Sequence, residues 1–245
     1  MSITEIIIFL GAITGGFVSG LTGFGTGLTV LPFWLLVTAP SLAAPLVIIC
    51  SVVGQLQTLP TIWRAIEWRK IWPYLLGGLF GIPIGTALLL QISPTQFKML
   101  IGVLLIGYCV LMLFLPSVPK IRLQGPLTNG LIGLGGGVLG GLAGLSGVLP
   151  SVWATLHEWG KEEARSVFQT FNLTILFVAG LSQIIQGLFT RELVLLAIIA
   201  IPGTIIGAWF GKTVYLKISD DRYNKIILIL LLFAGVSMIG TTILG

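Results

Sequence analysis

GGFVSGLTGFGTGLTVLP occupies residues 15–32, and a shorter relative, GGGVLGGLAGLSGVLP, occupies residues 135–150. Each copy opens one half of a chain that is otherwise almost continuous apolar sequence of helix length. A repeat places a symmetry axis in the molecule. Glycine and hydroxyl residues at a corresponding place in both halves mark where the backbone departs from ordinary helix. In a bilayer, irregular backbone is tolerated only where protein buries it or it lines a cavity. The two copies therefore mark the expected substrate site of a small transporter.

Apolar residues make up 56% of the 245 residues and charged residues only 9%, with a mean hydropathy of +1.07. The apolar runs are long enough to cross a bilayer, at about 20 residues each. The expected class is an all-α polytopic membrane protein, a single transmembrane domain over residues 1–245 with one repeat over about 1–120 and the other over about 121–245. The start, MSITEIII, has no basic region before its apolar run, so no cleaved signal peptide is expected. The net charge of +5 does not indicate nucleic acid, because the basic residues lie in short loops where they report orientation. Cys50 and Cys109 sit inside apolar segments and read as buried small hydrophobes.

Clear spans cover about 42–63, 71–91, 97–115, 165–188, 193–213 and 224–243, leaving two Gly-rich segments at about 3–38 and 127–156. If each Gly-rich segment crosses once, the basic residues divide almost evenly between the two sides and give no orientation. If each is instead a re-entrant hairpin, Arg64, Arg69, Lys70, Lys120, Arg122, Lys161, Arg165, Lys212, Lys217, Arg222 and Lys225 share one side, against Lys98 and Arg191 on the other. That is a strong positive-inside bias. The arm after Gly27 reaches only about Thr38, too short to span. The preferred architecture is two inverted repeats, each a re-entrant hairpin plus three spans, with both termini outside the cytoplasm. Gly77, Gly81 and Gly85 map onto Gly203, Gly207 and Gly211 at an offset of 126. Their spacing of four places them on one helix face, where close helix packing is their expected role.

Around the first tip, Thr22, Gly23, Phe24, Gly25, Thr26 and Gly27 offer amides and two hydroxyls, of which Thr22, Gly23, Gly25 and Thr26 are the selected site residues, and Gly144, Ser146 and Gly147 do the same around the second. Pro32 and Pro150 follow the tips. A hairpin tip exposes a helix N-terminus whose free N–H groups and dipole attract an anion. The competing reading is that these glycines only let helices cross closely. Inside the spans lie the uncharged polar residues Gln55, Gln57, Gln169, Asn172, Gln183 and Gln186, with Gln57 and Gln183 related by the 126 offset. Polar groups at membrane depth face the protein interior, and amides can donate to oxyanions; interhelical hydrogen bonding is the alternative. Gln55 and Gln57 are two apart, so at most one faces the site. Gln57, Gln169, Asn172 and Gln183 are the selected candidates.

Arg165 begins a span from the cytoplasmic side, where it either draws an anion to the mouth or snorkels to water, the latter being preferred. His157, the only histidine, lies in HEWGKEEAR and is expected to be solvated rather than a ligand. Trp63, Trp68, Trp72, Trp153 and Trp159 lie near span ends, as an interfacial belt would, although Trp34 and Trp153 follow the tips and could wall the site. Every carboxylate falls at an end or in a loop, so no proton relay is expected. No Walker motif, catalytic carboxylate pair, metal cluster or cofactor motif appears, and an intramembrane enzyme has little support.

The chain resembles the sulfite exporter TauE/SafE family of membrane permeases at GFVSGLTGFGTGLTVLP (16–32), at GLAGLSGVLPSVW (141–153) and at R-x-V-F-Q-x-F-N (165–172). The resemblance covers nearly the whole chain. It implies transport, usually outward, of sulfite, sulfoacetate or a related organosulfonate. The second copy departs from the commoner form, reading GLSG, so the two tips are not expected to contact substrate equally. The resulting expectation is a bacterial inner-membrane exporter of a small sulfur oxyanion, working by movement of one repeat against the other. Its partners would be that anion and the lipid bilayer, with no nucleic acid and either a monomer or a homodimer as the assembly. Without intramembrane acids, efflux driven by the membrane potential alone is expected. A membrane scaffold using the same helices for partner packing is the second reading.

Overall fold

The computed structural model describes residues 2–114, 125–157 and 161–215, with residues 232, 236, 239 and 240 near the end. The expected span at about 224–243 thus lies largely outside the described residues, as do Lys120, Arg122, Trp159, Lys217, Arg222 and Lys225. The described residues form nine α-helices. Helix α1 (Ile3–Thr22) starts at a capping box between Ser2 and Glu5 and ends at Gly23 in the left-handed region, φ 85°. After the break, α2 (Thr26–Trp34) runs for nine residues, about 13 Å, less than half of a bilayer core. Pro40 opens α3 (Pro40–Thr58) at the position where a missing N–H is harmless. Two 3₁₀ turns lead from α3 to α4 (Trp68–Gln91). The expected span at 42–63 therefore stops early, because Pro60 has no N–H for the next helical bond and its ring opposes the carbonyl one turn back.

Ser93 and Gln96 make a second capping box at the start of α5 (Pro94–Phe114). The other half repeats the pattern. Helix α6 (Pro126–Ala143) ends at Gly144, φ 69°. A nine-residue α7 (Val148–Leu156) follows, then α8 (Lys161–Ile185) and α9 (Arg191–Tyr215). Six of the described helices, α1, α3, α4, α5, α8 and α9, are long and apolar enough to cross a membrane. Large apolar side chains such as Phe80, Trp209 and Ile198 stand exposed on the outside, as expected of a surface that meets lipid. The short helix α2 is interior: Val30, Leu31 and Trp34 are fully buried, in one cluster with Leu142, Leu145 and Val148 of the second Gly-rich segment.

Two seams dominate the packing. Gly77, Gly81 and Gly85 of α4 lie against the backbone of Gly130, Leu134 and Val138 of α6, while Gly133, Gly137 and Gly141 of α6 lie against Tyr74, Gly78 and Ile82. Gly203, Gly207 and Gly211 of α9 lie likewise against Phe9, Ile13 and Phe17 of α1, and Gly16 and Gly20 against Thr204 and Ala208. Numbers rise together in both seams, so each pair runs parallel. The glycines are there because no Cβ fits between the two backbones. Helix α8 runs parallel to α6, with Gly136 at Phe171 and Gly140 at Ile175. It runs antiparallel to α3, with Thr58 at Gln169 and Ile48 at Gly180. Only residues 186–190 separate α8 from α9, so α9 returns beside α3. Helices α1, α3 and α9 therefore point one way, and α4, α6 and α8 the other. Lys70 at the head of α4 bonds Glu163 at the head of α8 at 2.7 Å, which places both heads at one end of the bundle.

Candidate functional site

The two breaks meet. A Cβ at Gly27 would lie 2.7 Å from Leu145 Cδ2 and 3.4 Å from Gly144 O, and one at Gly147 would lie 3.0 Å from Phe24 Cβ. Gly23 and Gly25 hold φ values of 85° and 90°, which only glycine adopts without strain. The Thr22 hydroxyl staples this tip, donating to Val18 O at 2.9 Å and Phe24 O at 2.6 Å and accepting from Phe24 N at 3.3 Å. Neither α2 nor α7 is capped by a side chain; glycines, Gly25 and Gly147, hold both N-cap positions. The first-turn N–H groups of α2 have no intrahelical acceptor and carry the positive end of the helix dipole. In α7 Val148 N already donates to Leu145 O at 3.3 Å and Pro150 has no N–H, so Leu149 supplies the open first-turn donor.

Helix α8 supplies the side chains. Arg165, Gln169 and Asn172 follow at steps of four and three, so they share one face. Arg165 is buried, 4% exposed, and does not snorkel to water as its place near a span end led one to expect. The first hairpin tip folds over it. Its Nη2 donates to Gly20 O at 3.2 Å and its Nε to Gln169 Oε1 at 3.2 Å. Gln169 Nε2 donates in turn to Thr58 Oγ1 at 2.8 Å. Ser146 of the second tip donates to Asn172 Oδ1. Arg165, Gln169, Asn172, Gly23, Ser146 and Gly147 are thus brought together.

Gln183 lies elsewhere, 11 residues or about 16 Å further along α8, where its Nε2 donates to Gly141 O at 2.9 Å. Gln57 is half-buried, and the neighbour of Gln169 is Gln55, which is fully buried. Sequence reasoning passed over Gln55 and Thr58. The signal was present in the polar stripe Ser51, Gln55, Thr58, at steps of four and three along α3. Phe24 counts in the sequence only for its tip amide, whereas its ring meets Phe168 edge-on at 5.3 Å. Trp34 is buried in the core cluster that includes Leu145, and Trp153 is half-buried, donating to Asn129 Oδ1 at 3.3 Å. His157 is half-buried against Trp153 rather than fully solvated. Pro32 falls in the last third of α2 but Pro150 in the first turn of α7, so the two prolines are not equivalent.

Several buried oxygens have no hydrogen-bond partner among the described residues: Ser19 Oγ on α1, Thr26 Oγ1 on α2, Gln55 Oε1 on α3 and Thr170 Oγ1 on α8. An unmet buried polar group costs about 1–3 kcal/mol, so Thr26 Oγ1 at the start of α2 is a position where a polar ligand would be accepted. Among the described residues no group of three or more His, Cys, Asp or Glu is placed to hold a metal. The chemistry on offer is hydrogen-bond donation by hydroxyls, amides, a guanidinium and helix N-termini, which suits a small anion.

A bundle of membrane-length helices with lipid-facing sides, broken at two buried tips, defines a multi-pass membrane protein of the transporter kind. The sequence profile of the sulfite exporter TauE/SafE family matches residues 7–238, and the chain belongs to that family. No curated protein and no solved structure matches it.

Proposed function

We propose that this protein exports a small sulfur-containing oxyanion, sulfite or an organosulfonate such as sulfoacetate, across a bacterial inner membrane. The observation that carries the proposal is the meeting of the two hairpin tips beside the buried Arg165–Gln169–Thr58 chain and the Ser146–Asn172 pair. The anion binds at the uncapped starts of α2 and α7, with Thr26 supplying a free buried hydroxyl and Arg165 the charge. An interior-negative potential assists its efflux by about 2.3 kcal/mol per charge per 100 mV.

The architecture we favour is two inverted repeats with re-entrant hairpins and both termini outside the cytoplasm. The opposed directions of α1 and α6, α3 and α8, and α4 and α9 support it. So does the Lys70–Glu163 bond, since a singly crossing Gly-rich segment would put those residues on opposite sides. The seams also favour a division of the moving parts that is not repeat against repeat. Most packing lies within α1, α2, α3 and α9, or within α4, α6, α7 and α8, and the two sets meet chiefly where α3 crosses α8. Each set takes one helix from the other repeat, and alternating access rocks these interleaved bodies about the α3–α8 crossing.

The test is binding and efflux of sulfite, sulfate, thiosulfate and sulfoacetate by purified protein in proteoliposomes. Asn172→Ala and Gly25→Leu are compared with wild type. Selective transport that both variants lose while remaining folded supports the reading. Absence of binding to all four anions sinks it.

A further inference from the structure

Gly147 has an ordinary backbone, φ −74°, so no conformational demand explains its glycine. What requires it is the Phe24 ring: a Cβ there would lie 3.0, 3.1 and 3.2 Å from Phe24 Cβ, Cδ2 and Cγ. Phe24 itself is set between two left-handed glycines, Gly23 and Gly25, where the backbone turns with least steric resistance. Its ring packs edge-on against Phe168 at 5.3 Å and 72°, a favourable aromatic pairing. Phe168 lies one turn beyond Arg165 and one turn short of Asn172 on α8. The Phe24–Phe168 pair therefore stands beside Gln169, between Arg165 under the first tip and the Ser146–Asn172 pair at the second.

We propose that Phe24 is the gate and selectivity residue of the transport path. Its ring closes the gap between the hairpin tips, with Gly147 as its seat and Gly23 and Gly25 as its hinges. An anion held at the Arg165 cluster reaches the Ser146–Asn172 pair only when the ring leaves its seat. The size of the gap then limits which organic anions pass. This rests on the transport reading above but not on the identity of the anion.

The test is the accessibility of a Ser146→Cys reporter, a position that is fully buried, to a membrane-impermeant methanethiosulfonate reagent. Cys50 and Cys109 are also fully buried and act as internal controls. In otherwise native protein the reporter reacts slowly. With Phe24→Ala, loss of the half-buried ring raises the rate at least about tenfold, while Cys50 and Cys109 stay unreactive. Gly147→Val, which the backbone at 147 tolerates, displaces the ring and has the same effect; Phe24→Trp keeps the gap shut. Unchanged reporter rates in both opened variants overturn the proposal. An acceleration matched at Cys50 and Cys109 overturns it too, because the ring would then only hold the fold together. Faster labelling, when the protein with its native Ser146 moves none of the sulfur anions, leaves the gate standing and removes the substrate assignment instead.

Discussion

Gly207→Ala and Gly107→Ala add the same methyl group to a helix, and the structure gives them opposite signs. A Cβ at 207 would lie 2.7 Å from Phe17 N and closer still to the Ile13 carbonyl, whereas ordinary van der Waals contact begins at 3.4 Å. The obstacle is backbone, which cannot turn aside as a side chain does, so the α1–α9 seam must open by about 0.7 Å or more. A gap of that size forfeits about a quarter to a half of the dispersion well for each atom along the seam. Overpacking of this kind costs about 1–3 kcal/mol, more than the roughly 1 kcal/mol that alanine gains over glycine in a helix. At 107, on α5, a Cβ meets nothing within 4 Å among the described residues, and only the helix-propensity gain remains. The assay is the thermal unfolding midpoint of purified protein, followed by circular dichroism. With the propensity gain subtracted, the net cost is up to about 2 kcal/mol, so on the scale of soluble domains of this length Gly207→Ala lowers the midpoint by up to about 8 °C and Gly107→Ala leaves it unchanged or slightly raised. Gly81→Ala, whose Cβ would meet Val138 N at 2.7 Å across the other seam, falls with Gly207→Ala. Equal stability of the 207 and 107 variants would refute the seam argument.

Arg165→Lys should lose at least about tenfold in efflux with the fold intact, because one ammonium cannot reproduce a guanidinium held at Gly20 O and Gln169 Oε1 together; wild-type rates would deny Arg165 a role at the site. A cysteine pair at Ala12 and Gly203, whose Cβ atoms would be 3.2 Å apart inside one body, can be crosslinked without stopping transport, whereas a crosslink from Ile48 to Gly180 across the α3–α8 crossing arrests it. Arrest by the first pair alone would return the motion to repeat against repeat. Efflux should follow an imposed voltage without a pH gradient, and strict dependence on that gradient would contradict it. Lys70→Ala should change stability by less than about 0.5 kcal/mol in unfolding assays, since Lys70 and both its carboxylate partners are well exposed.

Glycine made the fold legible where its absence of a Cβ is the whole requirement. The fourfold spacing at 77, 81 and 85 and at 203, 207 and 211 reads directly as two tight helix contacts, and Gly23, Gly25 and Gly144 as breaks. The polar residues were harder. Gln57 was chosen because it maps onto Gln183 at 126, but that offset does not hold for the hairpins. Gly16, Gly20 and Gly23 correspond in their packing to Gly137, Gly141 and Gly144, an offset of 121. A repeat whose parts slide by five residues preserves helix packing and scrambles side-chain partners, so Gln169 meets Thr58 and the Gln55 carbonyl instead. Arg165 reads as a snorkelling residue because sequence places it near water, and only the fold shows the first tip lying over it. Gly147 reads as part of a flexible tip, although its glycine makes room for a ring 123 positions earlier in the chain.

Symmetry ends at α8, and this is where the transport reading acquires a direction. Gly20 and Gly141 each lie three residues before the glycine that ends their helix, so their carbonyls are equivalent and lack helical donors. Gln183 caps one and Arg165 the other. At the 126 offset, Arg165, Gln169 and Asn172 correspond to Ala39, Ala43 and Leu46, so only one half of the scaffold carries the polar cluster. An anion arriving at Arg165 competes with Gly20 O for the same guanidinium, and a full negative charge is the stronger acceptor. On the proposed transport reading, a bound anion weakens the cap on α1 and loosens the first hairpin from α8, while Gln183 keeps the second tied at Gly141. A symmetric pair of hairpins thus becomes one tip that responds to substrate and one that holds its place, which is the differential interaction a ligand needs to shift a protein between two states.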